Sequence, residues 1–235
     1  MKNNYILAIL AGFLFTNFAF SQTEDNKDFA IWNSVGVKYS PIKSLKFGIE
    51  QHLRLKESAS QTDEYFTEVQ VEFELFKNLE IAQGFRFIRE NDNVGKKQGY
   101  EKHFRFNTDI SYNFDIKKFN LSYRLRYQNK RELALEDGST DTPTETLRFK
   151  AGVEYNITKW PLDPKLAIEI FNRKREGYSL ISGAKLSRYR ITLGTSYSFK
   201  KFGKFGIYYR YQENTRPDNT FQTTVLGLKY SYSIK

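Results

Sequence analysis

The residue types that carry catalytic chemistry are scarce in this chain. It holds no cysteine and two histidines, His52 and His103, each near carboxylates (Glu50, Glu68 and Glu101). Imidazole beside carboxylate can bind zinc or move a proton. Neither histidine shows metal-ligand spacing, however. A nucleophilic serine relay is also unsupported, because His103 is followed by Phe104-Arg105 and His52 by Leu53-Arg54, with no serine two residues on. Without cysteine, thiolate catalysis and Cys-type metal sites are excluded. No phosphate-binding loop, dinucleotide fingerprint or EF-hand pattern occurs. The acidic run Glu136-Asp137-Gly138-Ser139-Thr140-Asp141 lacks the spaced ligands and closing glutamate of a calcium loop and reads as a solvated loop. The expectation is a protein that is not an enzyme and uses no cofactor.

Arginine is the residue whose spacing does carry a signal. Arg124 and Arg126, Arg188 and Arg190, and Arg105 and Arg210 stand on alternating positions of strand-like segments. Ladders of this kind can bind or pass anions, or neutralise neighbouring carboxylates.

What must position these side chains is a set of strands. Apolar and polar residues alternate with a period of two from Phe29 to Ile234. Tyr100, Phe104, Phe106, Ile110, Tyr112 and Phe114 share one parity, and Glu101, His103, Arg105, Asn107 and Asp109 share the other. Eleven such segments can be drawn, near 29–39, 44–57, 63–76, 79–90, 100–114, 118–131, 145–157, 164–175, 185–199, 204–213 and 222–234. Their connections alternate between short ones (40–43, 77–78, 115–117, 158–163, 200–203) and longer polar ones (91–99, 132–144, 176–184, 214–221).

The apolar parity is almost free of charge at mid-strand. Gln51, Gln83 and Thr108 are its polar members there, while Arg89 and Lys102 flank a long loop. The other parity is densely ionised. Simple hairpin register pairs Lys56 with Glu64, His52 with Glu68, Lys46 with Glu74, Glu68 with Arg86, Asp109 with Arg124 and Glu154 with Lys165. It also sets Glu74 against Glu80, a clash that the register leaves unexplained. Because the aromatic and basic residues occupy opposite parities, no base can stack beside a phosphate contact, and nucleic acid is not an expected partner.

The two ends of the chain add a destination. Lys2, the apolar run Tyr5 to Phe15 and Ala19-Phe20-Ser21 read as a cleavable secretory signal over 1–21, followed by a short segment at 22–28 and a single β-domain over 29–235. Losing Lys2 takes the formal charge from +10 to +9. After Gln22 no stretch reaches the roughly 20 apolar residues of a spanning helix. Alternating strands longer than the ~9–11 residues that cross a bilayer, with aromatics beside the short turns (Tyr39, Phe47, Phe114, Phe119, Trp160, Phe199, Phe205, Tyr232), suit an outer-membrane β-barrel instead. Gly227-Leu228-Lys229-Tyr230-Ser231-Tyr232 resembles the terminal strand that barrel-assembly machinery recognises, although the chain runs three residues further.

The fold expected is therefore an all-β, antiparallel up-and-down transmembrane barrel in the outer membrane of a Gram-negative cell, in contact with lipid and lipopolysaccharide. Bacterial barrels use even strand numbers with both termini periplasmic, so ten or twelve strands are expected rather than eleven. The ionised parity becomes a lumen network of His52, Glu68, Arg86, His103, Arg105, Asp109, Arg124, Arg126, Glu154, Arg190 and Arg210. Such a barrel is structural or a narrow pore. A lipid-modifying enzyme and a secreted soluble barrel holding a small apolar ligand are the alternatives.

The mature chain also resembles DUF2490, a family of outer-membrane barrels from Bacteroidetes with no assigned activity. The residues that carry this are Trp32-Asn33-Ser34-Val35-Gly36, the run Gly84 to Asp92, His103-Phe104-Arg105-Phe106-Asn107, the run Leu121 to Gln128, and Tyr189 to Thr195. The resemblance implies a barrel and a location, and no activity.

Overall fold

The computed structural model describes residues 26–91, 99–133, 143–158, 160–174, 178–199, 201–215 and 220–234. The expected signal peptide (1–21) and the acidic run Glu136–Asp141 lie outside them. The described chain forms β1 (Lys27–Ile42), β2 (Leu45–Lys56), β3 (Gln61–Phe76), β4 (Leu79–Asn91), β5 (Tyr100–Ile116), β6 (Phe119–Leu133), β7 (Thr144–Tyr155), β8 (Lys165–Lys174), one helical turn α1 (Leu180–Gly183), β9 (Ala184–Phe199), β10 (Gly203–Asn214) and β11 (Gln222–Ile234). Each expected segment is a strand, within a few residues at its ends.

The eleven strands close into one barrel. This replaces the expected even count, and it changes the closure. With an odd number of up-and-down strands the first and last run the same way, so β1 pairs with β11 in parallel, from Lys27 beside Gln222 to Tyr39 beside Ile234. The other ten pairings are antiparallel. The parallel ladder satisfies the backbone groups of two strands that would otherwise be free edges. β1 consequently starts at the end of the barrel that carries the longer loops. The seam is backed from inside by a small apolar cluster of Ala30, Trp32 and Val225, with Tyr208 packed against it. Tyr208 lies opposite Gly227, and a Cβ there would sit 2.0 Å from the Tyr208 ring, so any side chain at 227 would displace the ring from the seam.

The short connections cluster at one end, at 43–44, 77–78, 117–118 and 200–202, with a longer one at 156–164. Asn78 and Lys117 take positive φ (76° and 55°) to turn in two residues. At the opposite end the β2–β3 turn has three consecutive positive-φ residues, Glu57, Ser58 and Ala59. That turn and a register shift between Arg54 and Leu55 displace the ladder from simple hairpin counting.

Burial is inverted relative to a water-soluble core. Among the described residues seven apolar residues are buried, whereas thirty-nine large apolar side chains are exposed. The exposed set follows the apolar parity, as in Val35-Val37-Tyr39, Phe85-Phe87 and Ile191-Leu193. Its polar members are satisfied by each other, with the Thr67 hydroxyl donating to Gln51 (2.6 Å) and the Thr108 hydroxyl to Gln83 (2.8 Å). At the long-loop end of the same face, tyrosine hydroxyls donate to carboxylates, Tyr127 to Glu145 (2.7 Å) and Tyr189 and Tyr211 to Glu213 (2.7 and 2.6 Å). Among the described residues no helix is long and apolar enough to cross a membrane.

Candidate functional site: the lumen

The inward parity encloses a lumen of about 1330 Å³, lined by sixteen Lys and Arg residues and nine Asp and Glu. An eight-stranded barrel is just filled by its side chains, and eleven strands leave room beyond that.

The ladder registers explain which charges meet. Around β2 and β3 the pairing is shifted by two residues from the hairpin expectation. Lys46 faces Glu72, His52 faces Phe66, and Glu64 faces Arg54 instead of Lys56. The Arg54 and Glu64 side chains form an ion pair. Glu68 faces Arg86 as expected, and they pair at 2.7 Å. Glu74 does stand opposite Glu80, and Lys46, reaching across from β2, resolves the clash at 2.6 Å from Glu80. Glu154 and Lys165 pair at 2.8 Å beside the β7–β8 connection. On β5 the register sets Asp109 against Arg126, not Arg124. Arg126 donates to both Asp109 oxygens at 2.6 Å, and Arg124 stays at 3.8 Å.

The strongest convergence involves residues that sequence reading did not single out. Glu169 on β8 receives Arg124 (2.7 Å), Arg148 (2.9 Å) and Arg190 (3.7 Å). It faces Lys150 on one side and Arg190 on the other. The signal was present. Stepping two residues at a time up the ladder from the Glu154–Lys165 pair reaches Lys150 opposite Glu169.

Aromatic rings also enter the lumen, which overturns the expectation that aromatic and basic residues keep to opposite faces. The Arg54 guanidinium lies 3.8 Å from the Trp32 ring centre, and Arg210 and Arg190 lie 5.0 and 5.4 Å from it. Phe66 receives Arg86 at 4.3 Å, and Phe171 receives Arg148 and Arg190 at 4.3 and 4.5 Å. Arg210 also stacks on Tyr208 at 4.7 Å and donates to the Thr192 hydroxyl at 3.0 Å. Trp32, Phe66 and Phe171 sit on the inward parity, where their faces cover guanidinium groups at mid-barrel.

Both histidines are bound into the charge network. His103 Nε2 lies 3.3 Å from Glu90 and 3.4 Å from Glu101 near the long-loop rim. His52 stacks on Phe66 with its Nε2 3.3 Å from Glu50. The register does bring a serine opposite His52, namely Ser34 on β1, which adjacency in sequence could not reveal. The Nε2 atom is turned toward Glu50 and makes no hydrogen bond. Among the described residues no cluster of three or more His, Asp, Glu or Cys has the geometry to hold a metal ion.

Of the eleven expected network residues, nine line the lumen; His103 and Glu154 belong to its two rims. Glu169, Arg148, Lys150 and the aromatic layer complete the set.

The family model described as protein of unknown function (DUF2490) matches residues 29–223. The match spans nearly the whole barrel, and the chain belongs to this family. No curated protein matches it.

Proposed function

From membership of a family without an assigned role, we propose that the chain is a non-enzymatic integral barrel of the bacterial outer membrane. Its lumen is a narrow passage that favours small anions. The observation that carries the membrane part is the inverted burial, with thirty-nine exposed large apolar residues around a closed barrel and charge inside. Soluble monomers rarely expose contiguous apolar patches beyond a few hundred Å², whereas a bilayer favours this surface and penalises a mid-plane charge by ~2–4 kcal/mol. The short turns then face the periplasm and the longer loops the exterior, with aromatics such as Tyr39, Phe119 and Trp160 at the periplasmic interface. Lipid and lipopolysaccharide are the partners of the outer face, and the β11 strand is the segment that assembly machinery would take up.

The surplus of lumen cations supports anion preference. The histidines are read as members of the charge network, His52 Nε2 facing Glu50 and His103 Nε2 lying near Glu90 and Glu101. A charged lumen is also a poor container for a small apolar ligand.

Two measurements test this. The full chain expressed in a Gram-negative host should sediment with outer membranes, resist alkaline carbonate and dissolve only in detergent; recovery in the soluble periplasm would overturn the reading. In a planar bilayer under a potassium chloride gradient, the reversal potential should have the sign of chloride preference. Cation preference would exclude the anion passage.

A further inference from the structure

One guanidinium in the lumen stands apart from the network. Arg105 is 8% exposed, lines the lumen, and leaves both its Nε and its Nη2 buried without an acceptor. Its cross-strand neighbours are cations on both sides, Arg86 on β4 and Lys130 on β6. Directly opposed like charges are unfavourable in a sheet. Arg86, Arg148 and Arg126 repel it, and the carboxylates that attract it include Glu68 and Glu64, the second of which is paired with Arg54. Glu68 is engaged by Arg86 at 2.7 Å, Asp109 is taken by Arg126 through both oxygens, and Lys130 pairs with Glu90. Every carboxylate near Arg105 therefore has a cation of its own. Arg86 also keeps its Nε buried and unpartnered. Two adjacent strands thus present three buried N–H donors with no acceptor, on a pair of facing positive charges.

Buried donors and charges persist at such a cost only where something satisfies them. A single anion seated between the two side chains would do both. Guanidinium forks match the oxygens of a tetrahedral oxyanion, and a phosphoryl group carries about −1.5 to −2 charge near neutral pH. That charge suits two facing guanidiniums with Arg126 and Arg148 behind them better than the single charge of a carboxylate. We propose that Arg105 and Arg86 form an oxyanion site in the lumen that takes a phosphoryl group, either inorganic phosphate or a small phosphomonoester. The site deepens the barrel reading above and rests on it for a lumen that is open to water.

The test uses the full chain refolded in detergent, titrated calorimetrically at constant ionic strength with inorganic phosphate in one arm and glycerol phosphate in the other. Saturable one-to-one binding is expected in at least one arm, and the arm that binds identifies the source. Arg105→Gln should weaken it at least about tenfold, the loss expected for charge-assisted hydrogen bonds. Lys43→Gln, the same charge change on an exposed turn residue, should leave it intact. Because Arg105 is the unmatched cation, Arg105→Gln should unfold at the same or a higher temperature without phosphate, and lose the phosphate-dependent upward shift. Should that variant not fold, Arg105→Lys keeps the charge without the fork and should still bind more weakly. The site is overturned by no saturable binding in either arm, by unchanged binding in the Arg105 variants, or by equal weakening in Lys43→Gln. Vesicle flotation of the same preparations separates the two readings. A chain that floats with lipid but binds no phosphate overturns the site alone, while one that binds phosphate but does not enter lipid upholds the site and overturns the membrane reading.

Discussion

The two walls of the lumen are built from the same residue types in opposite proportion. On β2–β5 eight carboxylates line the interior against three arginines, and on β6–β10 a single carboxylate, Glu169, stands among eleven lysines and arginines. Arg105 apart, the first wall compensates its arginines locally, pair by pair, as Arg54 with Glu64 and Arg86 with Glu68. The second cannot. It gathers three arginines on Glu169 and covers guanidinium faces with Phe171, Trp32 and Tyr208. A charged lumen is thus held together in two ways, by matched pairs on one wall and by a carboxylate hub on the other, with rings covering guanidiniums on both. The second way leaves a field of one sign along β6–β10, and on the first wall Arg105 is the cation left without a carboxylate of its own.

The hub makes the sharpest prediction. Glu169→Gln keeps the shape and removes the charge, stranding Arg124, Arg148 and Arg190. Breaking a buried ion pair from one side costs about 3–5 kcal/mol, so the unfolding free energy in lipid vesicles should fall by that order. Urea titration followed by tryptophan fluorescence would report it. Glu68→Gln on the acid-rich wall breaks one close arginine pair, Arg86 at 2.7 Å, and should cost less. If the two variants lose equally, the walls do not differ in the way described.

The aromatic cover is the next point of attack. Phe171 accepts Arg148 and Arg190 at 4.3 and 4.5 Å and is 7% exposed. Phe171→Leu keeps an apolar side chain of similar volume and removes the ring face. Each desolvated cation–π contact contributes on the order of 1–2 kcal/mol, so a loss of about 2 kcal/mol is expected. It should be subadditive with Glu169→Gln, because both act through Arg148 and Arg190. A strictly additive double variant would mean that ring and carboxylate do not share their arginines.

These effects also mark what was legible in the sequence. The strands and the side each residue faces could be read directly, because a period of two with charge confined to one parity persists through all eleven segments. The parallel closure follows from the eleven segments counted, and the even-number rule for bacterial barrels pointed away from it. Register failed where turns and bulges intervene. The positive-φ turn at Glu57–Ala59 and the shift at Arg54/Leu55 moved the β2–β3 ladder by two residues, whereas the Glu154–Lys165 and Glu68–Arg86 pairs came out as counted. The lumen aromatics were missed because the inward rings Trp32, Phe66, Phe171 and Tyr208 are isolated exceptions within polar parities. Glu169 was missed because its three arginines come from strands β6, β7 and β9, and only barrel curvature brings the first of them to β8.

The smallest effect completes the contrast between centre and rim. Glu154 and Lys165 pair at 2.8 Å, but their side chains are 31% and 34% exposed. Water screens such a pair, and holding two flexible chains together offsets much of the attraction, so a double-mutant cycle of Glu154→Gln with Lys165→Gln should give a coupling of about 0–1 kcal/mol. Salt decides the matter more cleanly than magnitude does. At 1 M ionic strength the screening length is about 3 Å, so the rim coupling should vanish there. The coupling between Glu169 and Arg148, whose side chains are 9% and 8% exposed, should persist, since ions cannot populate the space between them. A rim coupling that survives high salt would show that the β7–β8 end is sealed from solvent. The basic wall would then be closed at its short-turn end, and any anion it holds would have to enter from the side of the long loops.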